Sequence, residues 1–158
     1  MNVMVIGGGG REHAIVKKLR ENRQIDELYV LPGNGGMARE AVCVPIGATD
    51  LPAIAAFARE KAIDYAVVTP DDPLVLGAVD LLEGQGVPCF GPNKAAAILE
   101  GSKAFAKDFM ARHHIPTAAY HTFSDPAAAL EYVKDCPLPT VIKADGLALG
   151  KGGAVRRG

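Results

Sequence analysis

Val3-Met4-Val5-Ile6-Gly7-Gly8-Gly9-Gly10-Arg11-Glu12-His13 is a short β-branched, apolar run that ends in four glycines and leads directly into a helical pattern. Strand, glycine loop and helix in that order form an anion cradle. Glycines accept positive φ and let a ligand approach the backbone, while the first helical turn offers unpaired N–H groups and the positive end of the dipole. Arg11 adds a planar fork of donors, which favours a phosphomonoester or a carboxylate over a neutral guest. A turn that binds nothing would leave the entropic cost of consecutive glycines unexplained.

Working outward, the helix after the glycines is expected to turn Ala14, Ile15, Val16 and Leu19 inward, and Glu27 to Leu31 reads as a second strand. Pro32-Gly33-Asn34-Gly35-Gly36 cannot continue regular structure, so strand, helix, strand and loop form a βαβ unit. Val42 to Ile46 reads as a short strand, and Thr49 or Asp50 caps a helix with Ile54, Ala55, Phe57 and Ala58 facing inward. Ala62 to Thr69 is a further strand, broken at Pro70-Asp71-Asp72-Pro73. Leu74 to Gln85 reads as one helix, and Val87 to Phe90 as a strand closed by Gly91-Pro92.

Strands alternating with helices on short connections predict an α/β fold, a parallel Rossmann-like sheet with helices on both faces. Ligands of such sheets bind at the carboxyl ends of the strands. The loops at Gly7 to Arg11, Pro32 to Gly36 and Thr69 to Pro73 all follow strands and are expected to share one site on that edge.

The pattern changes after Gly91. Lys94 to Leu99 is helical, Gly101 is a break, and Ser102 caps a helix through Arg112. A domain boundary is therefore expected near Gly101, separating residues 1–101 from 102–158. Tyr120 to Phe123 reads as a strand, Ser124 or Asp125 caps a helix over Ala128 to Lys134, and Thr140 to Lys143 is a strand. The glycine-rich loop from Ala144 to Gly153 carries Lys151, and Ala154-Val155-Arg156 begins another strand.

Composition narrows the partners. Hydrophobic residues at 49% with 22% charged describe an ordinary globular chain, and a net charge of −1 offers no footprint for nucleic acid or an anionic membrane. Cys43, Cys89 and Cys136 are odd in number and widely spaced, so reduced thiols are expected rather than disulfides or a zinc site. No stretch reaches bilayer length and no basic leader precedes an apolar run, so a cytoplasmic location is expected.

A dinucleotide site competes for the first loop but fails twice. Glu12 stands where the third glycine belongs, and Leu31-Pro32-Gly33 ends the second strand where an acid should hold a ribose. A sugar monophosphate fits better. Asn34 can then bond a ribose hydroxyl or an amine, or simply form a left-handed turn. Asp71 and Asp72 can accept from hydroxyls or a cationic amine, or cap the next helix, the capping role falling more naturally to Asp72. The loop around Lys151 is not a Walker A loop, because Gly152 follows the lysine, yet glycines between two strands suit a hairpin closing over a polyphosphate. Lys143 and Lys103 would add point charges there, and Lys103 sits at the unfavourable end of its helix dipole. His13, His113, His114 and His121 show no metal spacing, and no serine or cysteine nucleophile motif is present.

Taken together, Val5 to Ala14, Pro32 to Gly36, Phe90-Gly91-Pro92, Glu100 to Met110 and Lys143 to Gly152 resemble the glycinamide ribonucleotide synthetase (phosphoribosylamine–glycine ligase) family of ATP-grasp enzymes. The resemblance implies a pre-ATP-grasp first domain followed by the start of an ATP-grasp domain, and ATP-driven formation of glycyl phosphate that the amine of 5-phosphoribosylamine attacks. It implies that Gly8, Gly9, Gly10, Arg11 and Glu12 bind the sugar phosphate. Asn34, Gly35, Gly36 and Asp71 would line the ribosylamine site. Lys103, Lys143, Gly146, Gly150, Lys151, Gly152 and Gly153 would serve ATP.

The substrates implied are 5-phosphoribosylamine, glycine and ATP with Mg²⁺, and the expected state is a monomer. Two features depart from the family pattern. Asp71 stands where a glutamate is commoner, and the rest of the lid, the adenine pocket and the magnesium carboxylates are expected beyond Gly158. The chain alone is therefore expected to be inactive. Competing readings are a non-catalytic phosphosugar-binding module and another ATP-grasp ligase, such as a biotin-dependent carboxylase. The Arg11-Glu12-His13 and Asn34-Gly35-Gly36 loops argue against the second.

Overall fold

In the computed structural model, which describes residues 1–147 and 153–157, the chain divides into two units, Met1–Ala97 and Ile98–Gly158. The first contains β1 (Asn2–Gly7), α1 (Gly10–Arg20), β2 (Glu27–Pro32), a 3-10 turn (Met37–Arg39), β3 (Val42–Cys43) and α2 (Leu51–Glu60). It continues through β4 (Tyr65–Val68), α3 (Asp71–Leu76), α4 (Ala78–Glu83) and β5 (Cys89–Phe90) into α5 (Lys94–Gly101), within which the two units divide. The five strands form one parallel sheet in the order β3-β2-β1-β4-β5.

The β1 run is apolar without interruption because both sheet faces are covered. Met4 and Ile6 enter one core with Leu31, Ile54, Phe57, Ala66, Val68, Val79 and Leu82, so α2 and α4 lie on that face. Val3 and Val5 enter the other with Val16, Leu28, Val30, Met37 and Val67, so α1 lies opposite. The expected layering is therefore observed. In α2, Asp50 Oδ1 accepts from the Ala53 N–H at 3.1 Å, and the four residues expected to face inward are buried.

Several local expectations are corrected. Ala14 is exposed, because the inner face of α1 is set by Glu12 and Val16. Leu74 to Gln85 is not one helix. Gly77, at φ +98°, ends α3 by donating to the Pro73 and Leu74 carbonyls, and its own carbonyl then accepts from Leu81 to begin α4. The strand after Val42 is only two residues long. Neither aspartate caps α3: the N-cap is Pro70, with no side-chain cap bond, and Asp71 and Asp72 occupy the first turn.

The second unit holds α6 (Lys103–Arg112), α7 (Pro126–Asp135), β6 (Thr140–Lys143) and β7 (Gly153–Arg156). Strands β6 and β7 pair antiparallel, with Lys143 opposite Gly153. Ser102 caps α6 through the Phe105 N–H at 3.1 Å, and Asp125 caps α7. The strand expected over Tyr120 to Phe123 is absent. Those residues have no strand partner among the described residues, and the His121 and Phe123 rings instead pack on Tyr132 of α7.

Candidate functional site

Parallel strands leave their carboxyl ends on one edge, and hydrogen bonds join the three loops there. The Gly33 N–H donates to the Gly7 carbonyl at 3.1 Å, and Asn34 Nδ2 donates to the Gly8 carbonyl at 2.9 Å. The Thr69 hydroxyl donates to Glu12 Oε1 at 2.7 Å, linking the loop after β4 to the first turn of α1. Gly36 lies so close beneath His13 that a Cβ there would stand 2.7 Å from the ring. The expected convergence is thus built from direct contacts.

The glycines of the first loop have separate reasons. At Gly7, with φ +129°, a Cβ would fall 2.5 Å from Glu12 Cγ and 2.9 Å from Pro70 Cγ. A Cβ at Gly8 would meet the Gly33 carbonyl oxygen at 2.8 Å, and one at Gly9 would meet Glu12 Oε2 at 2.8 Å. Only Gly10 of the four faces open space. Most of the missing side chains therefore make room for protein rather than for ligand.

Glu12 is the one buried polar or charged side chain among the described residues, at 4% exposure. Its Oε2 accepts from the Gly9 N–H at 2.8 Å and its Oε1 from Thr69. Asn34 is similarly engaged, since its Oδ1 accepts from the Gly36 and Met37 N–H groups at 2.8 and 3.1 Å. Arg11, by contrast, is exposed at the second position of α1. The N–H groups of Gly10, Arg11 and Glu12 have no earlier helical turn to donate to.

Asp71, partly buried, opens α3 two residues after Thr69. Next to Thr69 an apolar cleft of about 550 Å³ is lined by Val68, Leu74, Cys89, Phe90, Gly91 and Pro92. Burial, with a smaller contribution from the Glu83 charge, pushes the Cys89 thiol up to about 11. That thiol is no nucleophile at neutral pH.

Within the second unit Asp145 is the residue the sequence reading missed. Its Oδ1 accepts from the Lys103 and Ala104 N–H groups at 2.6 and 3.2 Å, and its Oδ2 accepts from the Ser102 hydroxyl at 2.9 Å. Lys103 Nζ donates to the Gly146 carbonyl. The acid at the helix start thus offsets the unfavourable placement of Lys103. Lys143 is exposed at the end of β6, beside Gly153 in the ladder. Gly150, Lys151 and Gly152 lie outside the described residues.

The Ala104 N–H, followed by the Ser102 hydroxyl, holds the Asp145 carboxyl below its ordinary value of 3.8. A depressed folded value means stabilisation that is present above the unfolded value and lost as pH falls through the folded one. The Lys103 and Ala104 amide resonances are therefore expected to hold their positions down to the ordinary carboxylate range and shift only below it. In Asp145→Asn that acid transition should vanish; its persistence would assign it to another group.

Two family models match in order along the chain. Residues 1–100 match the family model of the phosphoribosylglycinamide synthetase N domain, and residues 101–157 match the model of its ATP-grasp (A) domain. Phosphoribosylamine–glycine ligase of Vibrio cholerae is 55% identical over 154 residues, covering 96% of this chain and 36% of that protein. The crystal structure of phosphoribosylamine–glycine ligase from Thermotoga maritima superposes with a TM-score of 0.74 at 35% identity, over 98% of this chain and 36% of that one. The biotin carboxylase domain of the Hydrogenobacter thermophilus 2-oxoglutarate carboxylase also reaches a TM-score of 0.74, over 99% of this chain and 37% of that one; at 20% identity it shows the shared fold alone. The chain spans about 36% of the length of the curated relatives it matches. Because the N-domain match alone covers residues 1–100 of 158, the chain belongs to the phosphoribosylglycinamide synthetase family.

Proposed function

We propose that this chain carries the phosphosugar-holding part of an ATP-dependent phosphoribosylamine–glycine ligase, residues 1–101, followed by the opening of its ATP-grasp domain, residues 102–158. The observation that carries this reading is the joining of three strand-end loops around an exposed arginine at a helix N-terminus. Arg11 and the first-turn N–H groups of α1 would hold the phosphate of 5-phosphoribosylamine. The Gly35–Gly36 backbone and Asp71 would face the ribosylamine end. With the phosphate anchored, the amine is oriented as a nucleophile toward a glycine carboxyl activated by ATP as an acyl phosphate, so this part contributes positioning rather than bond making.

In the second unit Lys143 and Gly153, with Gly146 held by Lys103, would form part of the ATP side; Gly150, Lys151 and Gly152 belong to the same assignment. No group of three or more His, Cys, Asp or Glu residues suited to a metal occurs among the described residues. Among the same residues no helix is long and apolar enough to cross a membrane. A cytoplasmic, monomeric protein acting on small molecules, without nucleic acid, is the reading that accompanies this function.

Calorimetric titration of the chain with ribose 5-phosphate tests the proposal. Saturable one-to-one binding is expected, and a flat titration at millimolar ligand would overturn the site. Parallel titration with a non-hydrolysable ATP analogue tests the second unit by itself.

A further inference from the structure

We propose that Glu12 is a positioning residue that sets the distance between the phosphate end and the ribosylamine end of the site, and not a ligand for either. The inference rests on the phosphosugar reading above and assigns the carboxylate a different role from the arginine beside it. A side chain at 4% exposure, with each oxygen already accepting a hydrogen bond from the protein, presents little of itself to a substrate. Its stem occupies the space that Gly7 vacates, and its carboxylate oxygen the space beside Gly9. The glycine loop is therefore shaped around this carboxylate.

What the carboxylate joins matters more than its burial. One oxygen fixes the Gly9 N–H, the turn that launches α1 and aims the N–H groups of Gly10 and Arg11. The other receives the hydroxyl of Thr69, 57 residues away in sequence, in the loop that leads into Asp71. A substrate with a phosphate at one end and an amine at the other must meet both loops at once. A rigid tie between them lowers the ordering cost of binding such a molecule, and leaves a guest that uses only the first loop indifferent to it.

Asn34 ties the first loop to the second in the same manner, through Gly8. The second tie does not reach the Asp71 side. Glu12 alone of the two spans from the cradle to Thr69.

The test uses the whole chain and two probes, ribose 5-phosphate and inorganic phosphate. Thr69→Val removes the hydroxyl while leaving the Glu12 bond to Gly9. Ribose 5-phosphate affinity is expected to fall about tenfold, from the loss of one hydrogen bond to a charged group. Inorganic phosphate affinity should be unchanged. Thr69→Ser and Glu12→Gln should restore ribose 5-phosphate binding, since the amide can accept from Gly9 and donate to the hydroxyl.

Equal losses for both probes, or no loss for either, would overturn the positioning role while leaving the phosphosugar reading intact. Should the unaltered chain bind neither probe, that reading fails. Hydrogen exchange then decides the tie: the Gly9 amide should exchange about tenfold faster in Glu12→Ala than in Glu12→Gln, and equal rates would sink it.

Discussion

Gly7→Ala is expected to lower the stability of the first unit by about 2–6 kcal/mol. Two causes add. Residue 7 sits at φ +129°, which an L side chain rarely adopts, and forcing it there costs about 1–3 kcal/mol. The new Cβ would also stand 2.5 Å from Glu12 Cγ and 2.9 Å from Pro70 Cγ, an overpacking worth about 1–3 kcal/mol more.

Glu12 cannot swing aside without giving up the Gly9 and Thr69 bonds, and moving residue 7 breaks its register with Pro32. Against a total of about 5–15 kcal/mol for a typical domain, such a loss is large. Urea denaturation followed by circular dichroism measures it. Gly10→Ala is the control, since a Cβ there meets nothing within 4 Å and alanine favours the helix it would join. Equal midpoints for the two variants would show that residue 7 is not confined as described.

Arg11→Ala should weaken ribose 5-phosphate binding by about tenfold to a hundredfold while leaving the fold unchanged. A charge-assisted, two-pronged hydrogen bond to phosphate contributes about 1.5–3 kcal/mol. Arg11 is exposed and belongs to neither core cluster, so no packing is lost. A cation in the first turn of a helix opposes the dipole, and its removal should leave stability unchanged or slightly higher. The two responses point in opposite directions, which separates a ligand-binding arginine from a structural one. Calorimetry and thermal denaturation on the same sample read both, and undiminished affinity would show that the phosphate is held elsewhere.

The contrast between Gly7 and Arg11 shows how far the glycine run could be read in advance. A run of glycines after a strand states that side chains are unwelcome, but not what fills the space. Here Gly7 and Gly9 accommodate Glu12, Gly8 accommodates Gly33, and only Gly10 faces outward. The same limit explains Asn34: its amide was an available donor in the sequence, and in the structure it closes the loop to Gly8 and caps the turn at Met37. The single helix expected after Leu74 failed for a related reason, since the positive φ at Gly77 that ends α3 is not written in the apolar pattern around it.

The amino-acid sequence by itself determined most of the alternation of strands and helices in the first unit, the two-faced burial of β1, the cap at Ser102, the narrowing of two others to Thr49 or Asp50 and Ser124 or Asp125, and the three loops that follow strands. All of these depend on neighbours within a few positions, where periodicity and capping chemistry act. Only the tertiary structure decided which polar groups meet. Glu12 with Thr69, Asn34 with Gly8 and Asp145 with Lys103 lie 57, 26 and 42 residues apart. A hydrogen bond across such distances leaves no periodic trace, because its partners are chosen by how the strands stack and not by spacing along the chain. The opening run was legible at once as a strand, a glycine turn and a helix. That Glu12 accepts from both Gly9 and Thr69 became visible only when the β4 loop was placed beside it.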